Sequence, residues 1–562
     1  MFSMTLGFAL ALAAARPAQT ASLAVVSPVT ECSALTNADI SDAVGAAVHI
    51  TSASLVQDGK PAPYCRVLGY VEPSVRFEVR LPTGSWTQRF VQTGCGGLCG
   101  MVNVRLDHDD GCMPSRNGEL AVASTDMGHS GGADGAFGAN DYRLRIDFAY
   151  RGVHVTTLAG KALISRYYGQ GPKYSYFSGC SDGGREALLE AQRYPEDFDG
   201  IAAGAPAMNF TTQNTFYHGW NARVNTGTDG KPILTADKLA ILHKAALDAC
   251  DAADGLEDGL ISNPGLCHVD PSAVECKPGA EASGCLTSNQ ARVAKEIYAG
   301  AHDPLGDKLV IGGPMPGSEL AWAGVLLPNS GQDRYMSVGI STGTLKHLAY
   351  AQNPPESFTL ADFKFDRASF DATTKLHSLY DATDPDLTPF ARNGGKLILW
   401  HGWADPHISP LNTIAYYGAM QRSMGASAVS KFSRLYLFPG GYHCGGGEGP
   451  FDFDVLTPLM AWVERDAAPG ALIAAHSPGR GGPMAAPTAR PDRTRPVFPY
   501  PSTAKYIGTG GIDDAANFVI GATRVIPAEA LQWLGSGFYS TRYEAWCTAE
   551  GTLMTCQSQR GK

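Results

Sequence analysis

None of the 13 cysteines in this 562-residue chain stands in a Cys-x-x-Cys pair, which sets zinc ribbons aside. Charged residues make up only 17%, the net charge is −10, and no long basic cluster occurs, so nucleic acid is not an expected partner. No apolar run is long enough to span a bilayer, so no membrane partner is expected either. Internal repeats and long low-complexity tracts are missing as well. What remains is a chain rich in glycine (65) with 44% hydrophobic residues, the composition of a compact, loop-rich globular protein.

Met1–Ser22 joins a short apolar stretch, Leu6–Ala15, to small residues, the pattern of a secretory signal peptide, although its first residues lack Lys and Arg. The cysteines agree with export. Cys32/Cys65, Cys250/Cys267, Cys276/Cys285 and Cys547/Cys556 are locally spaced pairs, best explained by disulfides in an oxidising compartment. The count is odd, and the crowded trio Cys95, Cys99 and Cys112 is expected to hold the unpaired thiol. A secreted or periplasmic location follows as the expectation.

Strand and helix patterns alternate in two blocks. Strands are read at Arg76–Leu81, from Arg89, and at Leu120–Ser124, followed by a helix at Val153–Tyr168. A strand at Tyr174–Phe177, a helix at Arg185–Tyr194 and a short strand at Ile201–Ala203 complete the first block. After residue 390 come a strand (Lys396–Trp400), a helix (Leu411–Met424), a strand (Arg434–Phe438) and a helix (Val455–Arg465). Such alternation predicts an α/β fold with a parallel sheet. The resulting division is 1–22 leader, 23–205 first core part, 206–390 an inserted lid, and 391–562 second core part with a tail. After Ala467 the tail reads as irregular.

Gly179-Cys180-Ser181-Asp182-Gly183 is G-x-S-x-G between a strand and a helix, the setting of a nucleophile elbow. Small neighbours let the turn close and leave the Ser181 hydroxyl projecting. The Asp182 N–H, at the helix start, points toward a developing oxyanion. A hydroxyl needs a base and an orienting carboxylate, and in this architecture the order is Ser, acid, His. Asp405 follows the strand Lys396–Trp400 and His443 follows Arg434–Phe438, so the expected triad is Ser181, Asp405 and His443. His401 and His407 compete weakly and read as structural. His129 comes too early in the chain.

Cys180 precedes Ser181 and Cys444 follows His443. A disulfide between them would tie the nucleophile's loop to the base's loop, and two buried free thiols are the alternative. Asp251, Asp254 and Asp258 put three carboxylates in a glycine-punctuated stretch, which suits Ca²⁺ but not the EF-hand spacing. A solvated acidic loop is the other reading.

GCSDGGREAL (179–188), HGWADPHISPLNT (401–413), GGYHCGGG (440–447), CDAADGLEDGLISNP (250–264) and PYPSTAKYIGTGGIDDAANF (499–518) together resemble the tannase and feruloyl esterase family over nearly the whole mature chain. The resemblance implies an α/β-hydrolase fold with a large lid insertion. It also implies the triad above, the Cys180–Cys444 bridge, and the further bridges Cys32–Cys65, Cys250–Cys267, Cys276–Cys285 and Cys547–Cys556. A structural calcium would be held by Asp251, Asp254, Asp258 and the carbonyls of Leu256 and Leu260. The second oxyanion donor would be Gly96 or Gly97. Where some relatives carry another cysteine pair, this chain has Phe498 and Val519.

The expected activity is a serine carboxylic-ester hydrolase acting, through an acyl-enzyme, on small or plant-polymer-derived esters of aromatic acids. Gallate, ferulate and other hydroxycinnamates, and terephthalate monoesters are the candidate acyl groups. Trp322 and Tyr335 are candidates for stacking on the ring, and Arg334 for binding a carboxylate. A calcium-stabilised binding module with a relic triad, and a peptidase or thioesterase on the same fold, are the competing readings.

Overall fold

The structure is a computed structural model, and it describes residues 19–109, 111–279, 281–329, 334–478, 490–551 and 553–558. Most of the expected leader, Met1–Ser22, lies outside them. No helix among the described residues is long and apolar enough to cross a membrane.

Nine strands form the central sheet: β1 (Val48–Val56), β2 (Tyr64–Val71), β3 (Val75–Pro82), β4 (Arg89–Thr93), β5 (Leu120–Thr125), β6 (Tyr174–Cys180), β7 (Gly200–Gly204), β8 (Lys396–Gly402) and β9 (Ser433–Phe438). Their order is β1-β2-β3-β5-β4-β6-β7-β8-β9. From β5 to β9 every pairing is parallel, while β1, β2, β3 and β5 pair antiparallel. The expected parallel sheet is present from β5 to β9, and the structure adds an antiparallel edge. β1 and β2 run on without an intervening helix, and a short connection allows only antiparallel pairing.

Alternation along the strands divides the apolar residues between two cores. Phe90, Phe177, Ile201, Leu397 and Leu399 join one, with Leu163 and Leu188 from the helices Gly152–Tyr168 and Asp182–Arg193. Val91, Tyr176, Ala202, Ile398 and Trp400 join the other, with Leu459 and Trp462 from the helix Leu456–Arg465. A sheet covered on both faces favours apolar strands, which β7 and β8 largely are, while β4 and β6 also bury Arg89, Gln92, Thr93, Ser175 and Ser178. The layered core is an α/β-hydrolase fold.

The described residues of 205–395 run between β7 and β8 as helices and loops, and none of them joins the central sheet. The tail is more regular than the sequence suggests. Leu472–His476 pairs with Arg493–Val497, Ser502–Tyr506 with Phe518–Thr523, and Ala545–Glu550 with Leu553–Ser558. These strands are only five or six residues long, so no long period-two run marks them.

Candidate active site

β6 runs into the helix Asp182–Arg193 with Ser181 alone at the corner, at φ 66° and ψ −121°. That left-handed backbone is strained for a residue with a Cβ, and it turns the serine out of the strand. The turn closes only because its neighbours are glycine. A Cβ at Gly179 would lie 2.5 Å from the Gly183 carbonyl oxygen, and one at Gly184 would lie 2.3 Å from that of Gly204. The Ser181 N–H donates to Gly204 O at 3.0 Å, and the Ser181 carbonyl accepts from Ala207 at 3.0 Å and Arg185 at 3.1 Å.

Asp182 is the first residue of the helix, so its N–H has no intrahelical acceptor, and it finds no other among the described residues. Its carboxylate is occupied by the fully buried Arg185 guanidinium at 2.7 and 3.0 Å. Arg185 in turn donates to the carbonyls of Ala149 (2.9 Å) and Phe148 (3.1 Å), locking the helix start to the chain before Gly152–Tyr168.

Asp405 sits in the loop after β8 and is fully buried. His443 Nδ1 donates to Asp405 Oδ2 at 2.7 Å, which leaves Nε2 as the free basic nitrogen. Asp405 Oδ1 accepts the backbone N–H groups of His407 (2.7 Å) and Ile408 (3.1 Å). His401 Nε2 lies 3.0 Å from Asp405 Oδ2 and 3.1 Å from Ile408 O. Both are acceptors, so Nε2 carries the proton and Nδ1 accepts from the Thr413 hydroxyl at 2.8 Å. Burial alone would raise the Asp405 acid. The charge on His443 and the hydrogen bonds from His401 and His443 outweigh it and hold the acid well below the usual range.

His401, expected to be structural, orients the same carboxylate that holds His443. Its four-residue spacing from Asp405 was the available signal. His407 stacks on His443 with ring centroids 4.4 Å apart. Burial, with the His443 charge, depresses the pKa of His407 well below that of a free imidazole and that of His218 to about 3. Both stay neutral near pH 7.

Cys180 and Cys444 form a disulfide with Cα atoms 5.9 Å apart, so Ser181 and His443 are the neighbours of the two ends of one bridge. Cys32–Cys65, Cys250–Cys267, Cys276–Cys285 and Cys547–Cys556 are likewise bonded. Cys95 pairs with Cys99, and Cys112 is the free, buried thiol, pushed up to about 12 by burial. Gly96 and Gly97 are exposed at the tip of the loop after β4, and a Cβ at either would meet nothing within 4 Å. Gly97 needs its glycine for φ 66°. Gly96 has neither a positive φ nor a close neighbour to explain its lack of a side chain.

Trp322 is corrected as a stacking candidate. Its ring has no exposed surface, packs edge-on to Tyr298 at 5.0 Å, and spends its indole N–H on Ser318 Oγ at 2.9 Å. Tyr335 is buried immediately before the helix Met336–His347, and Arg334 is exposed.

Asp251, Asp254, Leu256, Asp258 and Leu260 share one loop behind the Cys250–Cys267 bridge. Asp251 accepts from the N–H groups of Asp258 (3.2 Å) and Gly259 (2.9 Å), and Asp254 from Leu256 N–H (2.9 Å) and the Ser262 hydroxyl. Asp258 is raised by burial and pairs with Arg495. This all-oxygen donor set fits a hard cation in chemistry, and Asp254, Leu256, Asp258 and Leu260 line one wall of a cavity of about 220 Å³. The three carboxylates do not converge. Among the described residues, the acid-, His- or Cys-bearing clusters whose ligand atoms lie within 4.8 Å are Cys95/Cys99/Asp182/Glu186 and His154/Glu190/Asp197.

A family model described as tannase and feruloyl esterase matches residues 60–520. The chain is 33% identical over 512 residues to the mono(2-hydroxyethyl) terephthalate hydrolase of Piscinibacter sakaiensis, covering 80% of this chain and 81% of that one. It is 31% identical over 476 residues to the probable feruloyl esterase B-2 of Aspergillus terreus, covering 81% and 85%. The crystal structure of feruloyl esterase B from Aspergillus oryzae superposes with a TM-score of 0.73 at 26% identity, covering 87% of this chain and 99% of that one.

Proposed function

The chain belongs to the tannase and feruloyl esterase family and is an ester hydrolase of that family, and from that premise we propose an exported serine esterase for esters of aromatic acids. Ser181 Oγ attacks the ester carbonyl while His443 Nε2 takes its proton. Asp405 holds the His443 tautomer and offsets the charge that forms on it. The oxyanion is received by the N–H groups of Asp182 and Gly96, with Gly97 as the alternative donor. The bare, exposed Gly96 supports that choice, since a glycine with no conformational need lets a ligand approach the backbone. His443 then protonates the leaving alcohol and activates water to release the acid. The observation that carries this reading is the 2.7 Å Asp405–His443 hydrogen bond, joined through the Cys444–Cys180 bridge to a strained serine.

Residues 206–390 form the lid that selects the acyl group, with Tyr335 and Arg334 as the remaining candidate contacts. Ca²⁺ bound by Asp251, Asp254, Asp258 and the carbonyls of Leu256 and Leu260 would neutralise a largely exposed acidic loop and order it. Six disulfides favour an oxidising location outside the cytosol.

Kinetics on methyl gallate, methyl ferulate, a terephthalate monoester, a butyrate ester and a peptide test the reading. One or more aromatic esters should exceed butyrate by at least tenfold in kcat/KM, and Arg334→Ala should lower activity only on the terephthalate monoester. Ser181→Ala should reduce kcat by on the order of 10⁴–10⁶. Equal use of butyrate and every aromatic ester would refute the selectivity. Near-normal turnover by Ser181→Ala would refute the mechanism.

A further inference from the structure

The loop carrying Gly96 and Gly97 is closed into a ring by the disulfide Cys95–Cys99. Its base is tied down from three sides. Gly183 N–H, from the elbow helix, donates to Cys95 O at 2.7 Å, His129 Nε2 donates to Leu98 O at 2.7 Å, and Gly100 N–H donates to Asp126 O at 3.2 Å. Between these ties Gly96 O accepts from Cys99 N–H at 3.0 Å, a Cβ at either glycine would meet nothing within 4 Å, and the N–H groups of Gly96 and Gly97 have no acceptor among the described residues.

A glycine pair without packing neighbours has no preferred orientation of its own. Donors that stabilise an oxyanion must be aimed before the reaction begins, because reorganising them in the transition state forfeits their effect. Inside this loop one turn hydrogen bond, Cys99 N–H to Gly96 O, restrains them, and the bridge adds the covalent limit. Its sulfurs rest against the carboxyl groups of the elbow helix. Cys95 Sγ is 2.8 Å and Cys99 Sγ 3.3 Å from Glu186 Oε1, and Cys99 Sγ is 3.3 Å from Asp182 Oδ2. Both carboxyl groups are buried, so the bridge fills the space between the loop and the helix that begins at the nucleophile.

We propose that the Cys95–Cys99 bridge is a positioning device for the reaction, holding the N–H groups of the Gly96–Gly97 ring aimed at the carbonyl oxygen of an ester seated on Ser181. The inference rests on Ser181 as nucleophile and extends it to a second disulfide, separate from Cys180–Cys444. The ring spans only five residues, and so short a loop restrains the unfolded chain least, so the effect belongs in turnover more than in stability.

The test is the double variant Cys95→Ala/Cys99→Ala of the full chain, with Cys95→Ser/Cys99→Ser as a near-isosteric companion. Three readouts are taken: kcat and KM on one aromatic ester, the Ki of phenylboronic acid, and the melting temperature. Phenylboronic acid adds to the serine oxygen as a tetrahedral adduct and so reports the oxyanion site. Outright loss of one oxyanion donor costs about 10²–10³ in kcat, so loosening should cost roughly tenfold or more. KM should stay within about threefold, and Ki should rise by about the same factor as kcat falls. Unchanged kcat and Ki would overturn the proposal. So would a fall in melting temperature with kcat and KM altered together, failure of both pairs to fold, or alkylation of Cys95 and Cys99 in the native wild type. Failure of the underlying reading looks different: wild type would ignore phenylboronic acid and Ser181→Ala would keep its turnover.

Discussion

Cys180 and Cys444 are bonded across 264 residues of sequence, one beside Ser181 and the other beside His443. The nucleophile's corner and the base's loop belong to different strands, β6 and β9, which lie three places apart in the sheet. Through the sheet alone their separation would be set by β7, β8 and the loops above them. The bridge sets it directly. Cys180→Ala/Cys444→Ala should lower kcat by at least tenfold on a soluble ester, as expected when reacting groups drift by about 1 Å. It should also remove up to about 5 kcal/mol of stability, since the closed loop is very long. Denaturant titration and steady-state kinetics check the two parts, and full activity with both cysteines replaced would dismiss the role.

His401 and His443 share one carboxylate oxygen, Asp405 Oδ2. His401→Phe should keep the ring's volume but remove the N–H that helps hold Asp405 ionised. A hydrogen bond to a charged group is worth about 1.5–3 kcal/mol, so kcat should fall roughly 10- to 100-fold. An unchanged rate would show that His401 only packs.

His218 is fully buried, with Nδ1 2.9 Å from Ser337 Oγ, and burial depresses its pKa to about 3. The unfolded chain, with an ordinary imidazole near 6.5, binds the extra proton first as pH falls. Stability contributed by the neutral ring is therefore present above about pH 6.5 and lost progressively between there and about pH 3, at up to roughly 1.4 kcal/mol per pH unit. Urea unfolding of wild type and His218→Asn at pH 7 and pH 5 should show a shallower loss in the variant. Parallel losses would contradict the assignment.

Chelation should separate ordering from chemistry at the acidic loop. EDTA should lower the melting temperature and added Ca²⁺ should restore it, since an ion bound only by the folded state stabilises it by mass action. Asp254→Asn should weaken the Ca²⁺ response. The loop belongs to the insertion, so activity lost to chelator should return with calcium and follow the melting temperature. Elemental analysis without calcium, together with no effect of EDTA, would remove the site.

Local chemistry made much of the site legible. The elbow needs glycine at 179, 183 and 184 because backbone oxygens lie 2.3–2.9 Å from where a Cβ would be, too close for one to fit, so the motif marks its own geometry. Strands β7, β8 and β9 announce themselves because burial on both faces favours apolar residues. The half-polar β1, with its bulge near Ile50, and the short tail hairpins carry no such signal. The free cysteine could be narrowed to three but not chosen, because the choice turns on which sulfurs face each other after folding.

The sequence by itself determined the order of strands and helices around Ser181, Asp405 and His443, because turn chemistry and apolar periodicity are local. Only the tertiary structure decided that β1 to β3 and β5 run antiparallel and that Trp322 spends its ring on the interior of the insertion. It also decided that His401 takes a place on Asp405. Each of these depends on which distant residues fill the space beside a side chain, and no local pattern encodes that.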